Sequence, residues 1–180
     1  MGTRSLAQIQ QAHLSSSGFA VLGDRRLKEF AITGSSSAGI FEVFDTDTAP
    51  EAGTYAQSTT TVTVTDTSHG LSTGDVVGIA FEAGTGGTAT PGNYVITVTS
   101  ANAFTITVLN SDTITDTPAC RYVASTPNDG TQPKRWLLTK ETSAADTFAN
   151  IFRIPNEGFR TNHGAYFHMS NLTSADVFYE

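Results

Sequence analysis

The sequence predicts an all-β protein: an antiparallel β-sandwich, jelly-roll-like, interrupted by an inserted small β-barrel and preceded by a short N-terminal helix. Three observations carry that expectation. Short runs of alternating β-branched or apolar residues recur along the 180 residues, with the period of two that turns one face of a strand inward. Clusters of Gly, Pro, Ser, Asn and Asp punctuate the runs as turns. Two polar stretches, 45–58 and 125–133, bracket a set of strands that reads as complete in itself, as the linkers of an insertion would. The expected organisation is a discontinuous outer domain, 1–56 plus 126–180, around an inserted module, 57–125.

In chain order, Ser5-Leu6-Ala7-Gln8 has the form of a capping box, in which hydroxyl and amide side chains satisfy exposed helix amides. A helix started there carries only Leu6, Ile9 and Leu14 as apolar residues before Ser15-Ser16-Ser17-Gly18 ends it. So short a helix needs a docking partner. Phe19 to Leu22 and Leu27 to Thr33 read as strands around the turn Gly23-Asp24-Arg25, and Gly34 to Gly39 as a loop. Ile40-Phe41-Glu42-Val43-Phe44 is apolar on both faces except at Glu42, the pattern of a central or partner-covered strand. Leu6, Ile9, Leu14, Phe41 and Phe44 are therefore the candidate partner-interface residues.

Within the inserted module, Thr61-Val62-Thr63-Val64-Thr65 is a strand, followed by turn chemistry at Ser68-His69-Gly70 and Ser72-Thr73-Gly74-Asp75. Val77, Ile79 and Phe81 alternate in a second strand. The segment Glu82 to Gly92, with Gly84, Gly86, Gly87 and Pro91, reads as a mobile loop. Tyr94, Ile96 and Val98 share one face of a third strand, which turns at Ser100-Ala101-Asn102 into a fourth bearing Phe104, Ile106 and Val108. After the polar segment Asn110 to Pro118, the residues Cys120, Tyr122 and Ala124 make the last strand. Five short strands imply a small barrel or sandwich.

The runs His69 to Val77, Gly92 to Ile96 and Ser100 to Ile106 resemble a small β-barrel insert of bacteriophage tail and other virion proteins, and distantly an insert domain of ubiquitin-activating enzymes. Nothing in the residues points to ubiquitin activation. The outer domain resumes with Trp136-Leu137-Leu138, then Phe148 to Ile154, the turn Pro155-Asn156-Glu157-Gly158, a strand through Ala165, Phe167 and Met169, and a closing Val177-Phe178-Tyr179. Its motifs Pro155 to Phe159, Gly164 to Phe167 and Val177 to Tyr179 resemble those of small all-β virion proteins of tailed bacteriophages. The resemblance implies a non-enzymatic virion structural protein, most concretely a capsid decoration or cement protein that binds the major capsid protein as a homo-oligomer. A tail, collar or fibre-attachment component of the particle is the alternative. A carbohydrate-binding, host-recognition module is a further one, with Tyr55, Tyr94 and Trp136 as its candidate aromatics.

Charge and motif spacing weigh against other classes. The formal net charge of -7 opposes binding to a phosphate backbone, which depends on Lys and Arg, so no nucleic-acid partner is expected. No apolar run approaches the length that spans a bilayer, and the N-terminus lacks the apolar core of a signal peptide; synthesis in the host cytoplasm and a place in the virion are expected, with no membrane. Cys120 is the single cysteine and reads as a buried small apolar residue. Asp45-Thr46-Asp47 starts like a calcium loop, but the sixth and twelfth positions hold Pro50 and Ala56 rather than Gly and a bidentate acid. His13, His69, His163 and His168 show no ligand spacing, Gly84-Thr85-Gly86-Gly87 lacks the Lys-Ser/Thr ending of a phosphate loop, and no nucleophile elbow is present. The sequon Asn171-Leu172-Thr173 reads as a turn. No catalytic residue, metal, cofactor or small-molecule substrate is expected.

Overall fold

A computed structural model describes residues 9–125, 132–144, 147–155 and 157–180. Fifteen strands, and no helix, are found among them, and the pairings that join them are antiparallel. The chain forms two compact units, 1–43 with 140–180, and 44–139.

The first unit holds β1 (Gln10–Leu14), β2 (Gly18–Leu22), β3 (Arg25–Gly34), β12 (Ala149–Arg153), β13 (Phe159–Thr161), β14 (Gly164–Ser170) and β15 (Leu172–Tyr179). Two strands cross the unit boundary, β4 (Gly39–Asp45) and β11 (Arg135–Thr142). One sheet has the order β1-β15-β3-β12, with β13 also on β3; another has the order β11-β4-β14-β2. Phe30 of β3, Phe41 of β4 and Phe167 of β14 are buried and mutually in ring contact at 5.5–5.9 Å. Aromatic rings at these separations add attraction to the area they bury.

The expected N-terminal helix is corrected here. Gln10 to Leu14 is a strand, and residues 5–8, with Leu6, lie outside the described residues. Ala12 and Leu14 pair with Val177 and Ala175, while Gln11 and His13 both reach the Asp176 carboxylate, at 3.0 and 2.8 Å. A segment with so few apolar residues gains more by adding its backbone to the β15 ladder than by forming a marginal helix.

The second unit contains β5 (Glu51–Thr65), β6 (Val76–Phe81), β7 (Gly92–Val95), β8 (Thr97–Ser100), β9 (Ala103–Ile114) and β10 (Ala119–Ser125), in the order β7-β6-β10-β5-β9-β8. Two strands are longer than the sequence pattern shows. β5 starts at Glu51, inside the stretch read as a linker, because its inward positions there are Tyr55 and Gln57, both buried, amid small polar neighbours. β9 runs on to Ile114 past an irregularity opposite Thr59, whose φ is 56°. Conversely, the single strand expected over Tyr94 to Val98 is two. Ile96, 1% exposed, sits between them with its N–H on the Asp75 carbonyl and its own carbonyl accepting from Gly74 N–H. β7 pairs with β6 and β8 with β9.

The segment 82–92, expected to be mobile, is tied down. Gly84 and Gly87 bridge each other, Thr85 N–H donates to Asp116, and the Asn110 side chain accepts from Thr90 N–H and donates to the Thr88 carbonyl. The glycines are needed for close approach. A Cβ on Gly84 would stand 2.7 Å from Asp116 Oδ1 and from Ile114.

After β10 the chain returns across β6. Gly78 faces the backbone of Arg135 and Trp136 so closely that any Cβ would overlap it. Asn93, the register partner of Gly78, supplies a side-chain amide that accepts from Trp136 N–H at 2.9 Å and donates to the Trp136 carbonyl at 3.2 Å. The Trp136 ring then packs on Phe44, Ala80 and Val123. Gly78→Ala should lower the unfolding free energy by about 1–3 kcal/mol, the cost of overpacking, measured by urea denaturation. Gly18→Ala, where a Cβ meets nothing within 4 Å, should be neutral or slightly stabilising.

Candidate functional site

The second unit is acidic. Nine of the seventeen Asp and Glu, but only three of the ten Lys and Arg, fall within 44–139. Each of the three cations is already matched: Arg121 to Glu82 at 2.9 Å, Lys134 to Asp47 at 2.7 Å and Arg135 to Asp45 at 3.4 Å. Glu51, Asp66, Asp75, Asp112 and Asp116 have no such counter-charge among the described residues.

Two of these carboxylates, Glu51 and Asp66, line a groove of ≈ 310 Å³. Its walls come from the approach to β5 (Thr48, Ala49, Glu51), the turn after β5 (Asp66 to His69, with Leu71) and β10 (Tyr122, Val123, Ala124). Glu51 and Tyr122 are register partners, which places the Glu51 side chain beside the last turn of the ladder. The turn is fixed from below by Asn102, whose carbonyl accepts from Asp66 N–H at 3.0 Å and whose side chain accepts from Ser68 N–H at 2.9 Å. Ser68 and Gly70 adopt φ of 59° and 69°, the left-handed conformation that Gly takes freely and other residues only in tight turns.

His69 belongs to the wall. Its Nδ1 accepts from Leu71 N–H at 3.0 Å, so the ring proton lies on Nε2, which donates to the Ser100 carbonyl at 3.1 Å. At the floor, the Tyr122 hydroxyl donates to Asp66 Oδ2 at 2.6 Å. Asp66 Oδ1 takes no hydrogen bond from the described residues. The groove thus presents two carboxylates and several hydroxyls on one side and short aliphatic side chains on the other. Among the described residues no three His, Cys, Asp or Glu gather as metal ligands.

The residues singled out from the sequence lie elsewhere. Phe41 and Phe44 are fully buried, in the aromatic cluster with Phe30 and Phe167 and in the Trp136 cluster respectively; the chain covers this strand itself. Ile9 is 62% exposed, Leu14 is half-buried on β1, and Leu6 is outside the described residues. Of the candidate aromatics, Tyr55 is buried and donates to the Glu82 carbonyl, Tyr94 is half-buried and donates to the Thr90 carbonyl, and Trp136 Nε1 donates to Thr139. Asp45 and Asp47, the start of the calcium-like run, face Arg135 and Lys134. Glu51 and Asp66 escaped the sequence reading because no motif contains them. The excess of acids over bases between Phe44 and Thr139 was the available signal.

Comparison with known protein families, with curated proteins and with solved structures finds no match to this chain.

Burial shapes the phenols around this core. Loss of hydration pushes Tyr55 up to about 12; it also raises Tyr122, with the hydrogen bond to Asp66 adding to the effect, and raises Tyr94. A phenol whose folded value lies above its unfolded value contributes stability in full below about pH 10, and that contribution is lost as pH rises through the folded value. Between about pH 10 and 12 each such phenol should cost about 1.4 kcal/mol per pH unit. Phenolate absorbance should therefore show three of the five tyrosines titrating late, and Tyr55→Phe and Tyr122→Phe should each remove one late phenol.

Proposed function

We propose that the chain is a non-enzymatic structural protein of a tailed-bacteriophage particle, a decoration protein that binds the major capsid protein as a homo-oligomer. The observation that carries the reading is the strand order of the two sheets that include the first unit. Numbering β1, β2, β3, β4, β11, β12, β14 and β15 as eight successive strands, one sheet takes the first, eighth, third and sixth, and the other the second, seventh, fourth and fifth. That is the pairing of a jelly-roll sandwich, an architecture of viral capsid and lectin domains. The 44–139 unit enters between the fourth and fifth strands. Its sheet order ends on β7 and β8, which only Ile96 separates in the chain, and this supports a small closed barrel as the inserted module.

The motif residues near the C-terminus support the same reading because the sandwich needs them. Gly158, with φ of 83°, abuts the Leu27 carbonyl where no side chain fits; Gly164 has φ of 145° beside β2; Val177 is buried and Tyr179 pairs with Leu27. A tail or collar component would use the same fold, so abundance separates the two readings. Quantitative mass spectrometry of purified particles should find a copy number comparable with that of the major capsid protein, since decoration repeats with the shell's symmetry. A copy number that is a small fraction of it would move the chain to the tail, and absence from particles would overturn the virion reading.

A further inference from the structure

We propose that the groove lined by Glu51, Asp66 and Tyr122 receives a Lys or Arg side chain from a partner protein. The argument concerns the 44–139 unit alone and goes beyond the virion reading, which would only make that partner a neighbouring subunit.

Charge selects the ligand. Asp75, Asp112 and Asp116 are held by local donors, the N–H of Ser72, the Asn110 amide and the N–H of Thr85. Glu51 is exposed and makes no hydrogen bond or ion pair with the described residues, and Asp66 keeps one oxygen open beside it in the same groove. Lys134 stands at the rim on Thr48, but its charge is taken by Asp47. An incoming cation therefore meets two uncompensated carboxylates where a water-filled surface would offer one.

Shape selects the side chain. Leu71, Val123, Ala124 and Ala49 line the same groove. A ligand with an aliphatic stem and a cationic head can cover the apolar wall while its head reaches the carboxylates, which is how Lys and Arg lie along mixed surfaces. A bare metal ion would leave that wall uncovered. An anionic or neutral ligand would leave both carboxylates unanswered.

The test uses the full chain and a blocked peptide of alternating Gly and Lys, with its Nε-acetylated counterpart as the uncharged control. Titration followed by amide chemical shifts should perturb Glu51, Asp66 to His69 and Tyr122 to Ala124 with the lysine peptide only. Glu51→Gln with Asp66→Asn should weaken binding about tenfold, as expected for removal of close charge partners. Asn and Gln keep the hydrogen-bond acceptors, including the one Tyr122 uses; should the double variant fail to fold, Glu51→Gln alone, at an exposed position, gives the same reading. Asp116→Asn, an equal charge change outside the groove, should alter affinity less than about twofold. Shifts spread over the whole acidic surface, equal loss in Asp116→Asn, equal binding of the acetylated peptide, or no response to the lysine peptide would each overturn the proposal. None of these outcomes bears on copy number in particles, so failure here and failure of the virion reading are separable.

Discussion

The 44–139 unit depends on one exchange of partners at Ile96. The chain leaves β6 as the neighbour of β7 and joins β9 as the neighbour of β8 within a single residue, so both ends of the sheet order are stitched by one peptide. The exchange costs that residue its place in either ladder. Its N–H and C=O are satisfied instead by Asp75 and Gly74, and its side chain is fully buried with Val77, Phe104 and Tyr122 in one core. A buried backbone group left without a partner would cost about as much as a lost hydrogen bond, so the 72–75 turn is as necessary to the core as the apolar side chains are. Asp75 closes that turn on itself by accepting from Ser72 N–H. The Ser72-Thr73-Gly74-Asp75 stretch is thus structural from end to end, and the groove upstream of it, Asp66 to His69, is held between this turn and Asn102.

A second constraint governs how the chain leaves the unit. A strand that must cross a sheet needs a place where the sheet offers no side chain and where its own backbone polar groups are met. Gly78 provides the first and Asn93 the second, at positions paired across β6 and β7. The Asn93 amide behaves like the edge of a further strand, accepting from and donating to the same residue, Trp136. Packing and hydrogen bonding therefore fix one point together, and Trp136 carries the fixation into the small cluster with Phe44.

Strands with regular alternation were legible in the sequence. Val62 and Val64, Val77 to Phe81, Phe104 to Val108 and Cys120 to Tyr122 all point inward as their spacing requires. What stayed hidden has physical causes. The first half of β5 buries Tyr55 and Gln57 among Gly, Thr and Ala, and Gln57 counts as polar although its amide lies buried, donating to the carbonyls of Thr59 and Asn110. Periodicity measures apolar side chains, so a strand held by a buried amide reads as a linker. The break at Ile96 was invisible for the opposite reason: Tyr94, Ile96 and Val98 keep their alternation while the backbone changes partners. At the N-terminus, Ser5 to Gln8 carried a local helix signal, and the open edge of β15 decided Gln10 to Leu14 for the strand. Phe41 and Phe44 were read correctly as parts of a covered strand, but the cover is the chain's own aromatic packing.

The groove was not legible because its chemistry lies in what remains after structural needs are met. Carboxylates in this unit divide by their occupation. Asp45, Asp47 and Glu82 face cations, Asp75, Asp112 and Asp116 cap local donors, and Asp66 is half engaged through Tyr122. Uncompensated like charge works against a compact unit through self-repulsion, and an exposed strand position such as that of Glu51 has no folding requirement for an acid. Pairing Glu51 with Asp66 across one groove concentrates that repulsion where an external cation would relieve it. The same charges that contribute least to the fold are therefore the ones whose energy a basic partner would change most.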